Sequence, residues 1–187
     1  MSFLKKIQER IIPIQTSTAA PLLQPNEEIR HEFVNFAGAY RIGIACYFTD
    51  LAAQDTINAL KTKLEKLGYE CDVLVFIDKK EKDHNVVLQS FNWEDLDRKT
   101  MLPHSPRTDR FIVKKYDLLF NLYLNNCPPL LYLSHMSYAR CRVGPFLDHF
   151  KHCCDVLIPT EKDETIEGLI NKINNTLNIK PYERKQI

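Results

Sequence analysis

The chain has 187 residues, 44% of them apolar and 26% charged, which is the composition of a folded domain and excludes disorder along its whole length. Its 25 Lys and Arg nearly balance its 24 Asp and Glu, so the basic excess of a nucleic-acid binder is lacking and no nucleic-acid partner is expected. The five glycines stand singly at Gly38, Gly43, Gly68, Gly144 and Gly168. No G-x-G-x-x-G exists, and Ile44-Ala45 follow Gly43 where a P-loop needs Lys-Ser/Thr, so both large phosphate-cradling loop classes are disfavoured.

Phe3, Leu4, Ile7 and Ile11 share a helical face, predicting a short helix over residues 1–12 through which a homo-oligomer could form. Gln8, Glu9 and Arg10 interrupt the apolar run that a secretory signal would need. Residues 13–30, with three prolines, read as an arm, residues 31–180 as one α/β domain and residues 181–187 as a tail. No stretch of 18 apolar residues exists, so no membrane span is expected.

Residues 40–48 (YRIGIACYF) read as a strand covered on both faces. Thr49 or Asp50 can cap the helix that follows, where Ile57, Leu60, Leu64 and Leu67 repeat at helical spacing until Gly68 stops it. Residues 70–77 (ECDVLVFI) form a second strand, and a β-α-β order this short argues for a parallel, right-handed crossover. Asp78 to Asp83 is a charged turn, and Asn85–Phe91 reads as a third strand. Residues 92–110 read as an irregular segment around a short helix, and Phe111–Val113 and Asp117–Leu124 as strand. Pro128-Pro129 suit the first turn of a nearly apolar helix over about 129–138. Cys141–Val143 and Cys154–Ile158 read as further strands, and Thr160 with Asp163 has the spacing of a capping box. Ile166, Leu169, Ile170, Ile173 and Leu177 mark the face of a last helix. Strands alternating with helices predict a single three-layer Rossmann-like or flavodoxin-like α/β domain, its sheet mostly parallel, with an amino-terminal helical arm.

The six cysteines lie largely in apolar, strand-like runs, which fits free thiols in the cytoplasm. Ligands of open parallel sheets bind beyond the carboxyl ends of the strands. Thr49, Asp50 and Asn121 fall at or near such ends, although helix capping is the ordinary role of the first two. Ser137, Arg140 and Arg142 belong to the densest polar cluster, where a guanidinium could face an anion or pair with an internal carboxylate such as Asp117 or Asp148. His135 is read as a core histidine. His149, His152, Cys153 and Cys154 resemble a metal cluster, but adjacent cysteines converge poorly on one ion, and neither metal nor cofactor is expected. Cys127, at a helix start, would be the one candidate nucleophile, with His135 as its partner.

The runs NFAGAYRIGI (35–44), KLGYECDVLVFIDKK (66–80) and YDLLFNLYLNNCPPLLYLSHMSYARCRVG (116–144) resemble an uncharacterised family of cytosolic Bacteroidota proteins, a domain of unknown function. That resemblance implies a shared fold and supplies no reaction. Asp117-Leu-Leu-Phe-Asn-Leu, a helix and Ala139-Arg-Cys-Arg-Val-Gly144 are similar to the amino-terminal half of heptosyltransferases, which implies one Rossmann-like half of a two-domain architecture. The expected function is a non-catalytic binding or interaction module. The alternative is a small enzyme, or a relic of a glycosyltransferase-like half, acting on a small anionic ligand at the strand ends.

Overall fold

The structure is a computed structural model that describes residues 30–48, 50–78 and 88–183. The helix expected over 1–12, most of the arm and the last four residues lie outside these. Strands β1 (Arg41–Tyr47), β2 (Glu70–Ile77), β3 (Ser90–Asn92), β4 (Leu118–Leu122), β5 (Cys141–Pro145) and β6 (Val156–Ile158) form one sheet among the described residues. Their order is β3-β2-β1-β4-β5-β6, and every neighbouring pair is parallel. This is the arrangement of the doubly wound dinucleotide-binding sheet.

Helices α1 (Leu51–Lys66) and α4 (Ile166–Thr176) cover one face, and α2 (Pro106–Val113) and α3 (Pro128–Met136) the other. Alternation along β1 explains the layering. Ile42, Ile44 and Cys46 meet the cluster that holds Ile57, Leu60, Leu64, Leu169 and Ile173, while Ala45 meets the one that holds Phe111, Leu130 and Leu133. The helix α1 ends where Gly68, at φ +95°, takes the left-handed conformation that other residues resist. Its N–H reaches Glu65 O at 3.0 Å and that of Tyr69 reaches Leu64 O at 3.1 Å, which satisfies two terminal carbonyls.

Three local expectations are corrected. Phe111–Val113 is the last turn of α2 and not a strand. Ser105 and Thr108 cap each other's backbone N–H at 3.3 and 3.0 Å, and Pro106 opens the first turn, so the helix starts early enough to absorb the apolar triplet. The last helix is capped by Thr165, whose hydroxyl accepts from Gly168 N–H at 3.0 Å, and not by Thr160 with Asp163. The third strand is Ser90–Asn92, and most of the segment 85–91 assigned to it is not strand or lies outside the described residues.

Candidate functional site

The order β2-β1-β4 makes β1 and β4 the point where the sheet changes direction. The connection after β1 leads to α1 on one face, and that after β4 to α3 on the other, which opens a crevice at their carboxyl ends. Asp50 stands in it as the N-cap of α1, extended at φ −163°, and its carboxylate accepts from Ala53 N–H at 2.8 Å. Thr49 lies outside the described residues. Across the crevice, α3 begins at Cys127 with Pro128 and Pro129 next, so two of the amides a helix start would offer are missing. Burial pushes the Cys127 thiol up to about 12, which leaves it protonated and a poor nucleophile. Between β1 and α1 a cavity of about 10 Å³ is lined by Tyr47, Phe48, Gln54 and Leu88 among others, room for about one water. Leu51 and Phe146, which follow β1 and β5 at this same end of the sheet, are 64% and 55% exposed.

The acid after β2 is engaged as well. Asp78 accepts from the Tyr47 hydroxyl at 2.8 Å and from the Trp93 indole N–H. Burial, and then the Asp78 carboxylate, push the Tyr47 phenol well up, so it stays a donor. The charged turn read from the sequence therefore begins with a tethered carboxylate. Nothing in the local sequence pointed to Trp93, because it reaches Asp78 from a separate short turn.

Arg140 and Arg142 stand at the amino-terminal edge of the sheet, away from that crevice. Arg140, exposed, donates to Asp117 Oδ1 at 2.8 Å and to Glu32. The Arg140 bond holds the Glu32 carboxyl below its usual range. Asp117 Oδ2 also accepts from the backbone N–H groups of Tyr40 and Arg41, both at 2.9 Å. Arg142 pairs with Asp155 through Nε at 3.0 Å and Nη2 at 2.8 Å. The carboxylates expected to hold Arg142 are committed elsewhere, Asp117 to Arg140 and Asp148 to Lys151.

Asn121 is fully buried in β4. Its Nδ2 donates to Ser134 Oγ at 3.0 Å, Val143 O at 3.3 Å and Cys154 Sγ at 3.4 Å, and Ser134 Oγ donates to Cys153 O at 3.0 Å. These bonds tie β4 to β5 and α3. Ser137, 2% exposed, ends α3, and its hydroxyl accepts from Ala139 N–H at 3.2 Å. The sequence-selected residues are thus divided between the two ends of the sheet and its interior. His135 Nδ1 lies 3.3 Å from His152 O, and the His149 ring packs on Phe150 at 4.6 Å. Among the described residues, no three His, Cys, Asp or Glu side chains are placed to hold a metal ion.

A model of a family of unknown function (DUF6913) matches residues 14–179. No curated protein matches. A solved structure of E. coli heptosyltransferase WaaC with ADP is similar to the chain at 12% identity and a TM-score of 0.48, covering 79% of this chain and 49% of that one.

Proposed function

The chain belongs to this family of unknown function (DUF6913), and we propose that it is a non-catalytic binding module. Its binding edge is the carboxyl end of the sheet around β1 and β4. The observation that carries the reading is the Asp50 carboxylate on the α1 N-terminus. In sheets of this order a nucleotide phosphate occupies that place, drawn by free N–H groups and the helix dipole. Here a fixed anion already occupies it, and prolines remove donors from the facing α3. Such an edge repels phosphate and suits a partner that brings hydroxyl or ammonium donors and apolar contact to Leu51 and Phe146.

Thermal melting with millimolar ADP or inorganic phosphate tests this. A ligand present at a hundred times its Kd stabilises by about 2.7 kcal/mol. In a domain of this size that is roughly 5–10 °C. The expected result is no rise with either anion. A rise of that size, lost when Leu51 and Phe146 are replaced by Glu to add charge at this edge, would establish the rival reading of a site for an anionic metabolite.

A further inference from the structure

We propose that the pocket between β6 and α4 binds a neutral polyol, a sugar or sugar alcohol of monosaccharide size. It lies on the flank of the sheet, at the outermost strand β6, and is independent of the binding edge at β1 and β4. Its volume is about 380 Å³, within the roughly 300–1,000 Å³ of small-molecule sites. Ile158 and Pro159, where β6 ends, give it an apolar side. Thr160 and Glu161 from the chain after β6, and Lys172, Asn175 and Thr176 from the last turns of α4, supply the polar groups.

The polar wall is held from behind. Lys172 Nζ donates to Glu164, whose side chain is 8% exposed, and to Glu161 Oε1 at 3.3 Å. Glu164 Oε2 also accepts from Glu161 N–H at 3.3 Å, which folds residues 161–164 back toward α4. Gly168 makes room for this arrangement, since a Cβ there would collide with Glu164 Oε1. Glu161 is the open member of the set, its side chain 84% exposed and its bond to Lys172 long. Thr176 gives its hydroxyl proton to Lys172 O at 2.8 Å, so its oxygen is left as an acceptor, and the exposed Asn175 amide can both donate and accept.

Charge decides the ligand class. The single Lys172 ammonium lies between two carboxylates, so the wall carries an excess negative charge. An anionic ligand would meet that excess and an ammonium already compensated. A cationic ligand seated on Glu161 would approach the Lys172 ammonium, and like charges repel. A hydroxyl meets neither penalty, because it can donate to the Glu161 carboxylate while accepting from Lys172 or the Asn175 amide. Several hydroxyls on one small frame match this alternation of acceptors and donors. The C–H face of the same frame matches Ile158 and Pro159.

The test titrates the isotope-labelled full chain with D-glucose, myo-inositol and sorbitol at millimolar concentrations and follows the backbone amide shifts by NMR. The expected result is a saturable shift with at least one polyol, centred on Thr160, Glu161, Asn175 and Thr176. Inorganic phosphate and putrescine should shift the same amides less or not at all. Glu161→Ala and Asn175→Ala truncate exposed side chains and should keep the fold. Each should weaken polyol binding about fivefold, the factor that one lost hydrogen bond typically gives. If one variant fails to fold, the other decides. The proposal is overturned by no saturable shift with any of the three polyols, by shifts centred elsewhere, or by unchanged affinity in the folded variants. Phosphate or putrescine binding these residues as tightly as the polyols would overturn it too.

Discussion

Asp155 holds Arg142 at three points, accepting from its backbone N–H at 2.8 Å, its Nε at 3.0 Å and its Nη2 at 2.8 Å. The pair joins the second residue of β5 to the residue before β6. The side chains are 9% and 18% exposed, so the charges are largely but not wholly removed from water. Truncating one partner of a fully buried pair costs about 3–5 kcal/mol, and the remaining exposure brings the expectation for Arg142→Met to roughly 2–4 kcal/mol. Removing both charges in Arg142→Met/Asp155→Leu should recover part of that loss. Urea melts of the single and double variants measure the coupling. A single variant as stable as the parent would show that Arg142 is not structurally held.

Gly144 should not tolerate alanine. Its missing Cβ would stand 2.8 Å from Cys154 Sγ, 3.1 Å from Phe150 Cδ1 and 3.4 Å from Asn121 Cβ, all in a packed interior. Forcing a methyl group into such a site typically costs about 1–3 kcal/mol. Adding Cys154→Ala should relieve much of the loss by vacating the nearest atom. Equal melting of Gly144→Ala and the parent would contradict this account of the packing.

The parallel α/β architecture was legible because β1 and β2 are continuous apolar runs and the stripe of α1 is bounded by Asp50 and Gly68. Phe111–Val113 was not, since three apolar residues fit either period and the deciding cap, Ser105 with Thr108, lacks the usual acidic member. The switch point follows from strand order, which no local pattern encodes. Asp155 escaped notice for a related reason. It meets Arg142 only because β6 lies beside β5, with Val143 opposite Val156. Asn121 read as a strand-end polar residue, yet the register sets it opposite Ala45 and its amide turns to Ser134 and Val143.

Replacing Asp50 by Ala should weaken α1 and leave the rest of the sheet intact. The lost bond is one N-cap interaction, from Ala53 N–H, typically about 0.5–2 kcal/mol. Asp50→Ser should restore most of the stability while removing the fixed negative charge from the crevice. Comparing the two by urea denaturation separates the cap from the charge. Equal losses in both variants would mean that the charge, through the helix dipole, outweighs the hydrogen bond.

Acidification should destabilise the fold through two half-buried histidines. Burial lowers His149 below its ordinary value of 6.5, with the Asp148 carboxylate opposing, and its Nε2 finds no hydrogen-bond partner among the described residues. His31 is lowered too, by burial and then by the Arg142 charge. In the unfolded chain both imidazoles protonate near pH 6.5. Below that pH the unfolded state therefore binds more protons than the folded one, and stability rises with pH through the window. Between about pH 7.5 and 5.5 the melting temperature should fall as the solution is acidified, since the imidazoles are still neutral in the folded state when the unfolded ones are charged. His149→Phe keeps a ring against Phe150, 4.6 Å away in the parent, and removes one titrating group. Its melting temperature should fall less over the same interval. A variant with the same or a steeper decline would show that His149 does not carry this dependence, and protonation elsewhere, His31 included, would have to account for it.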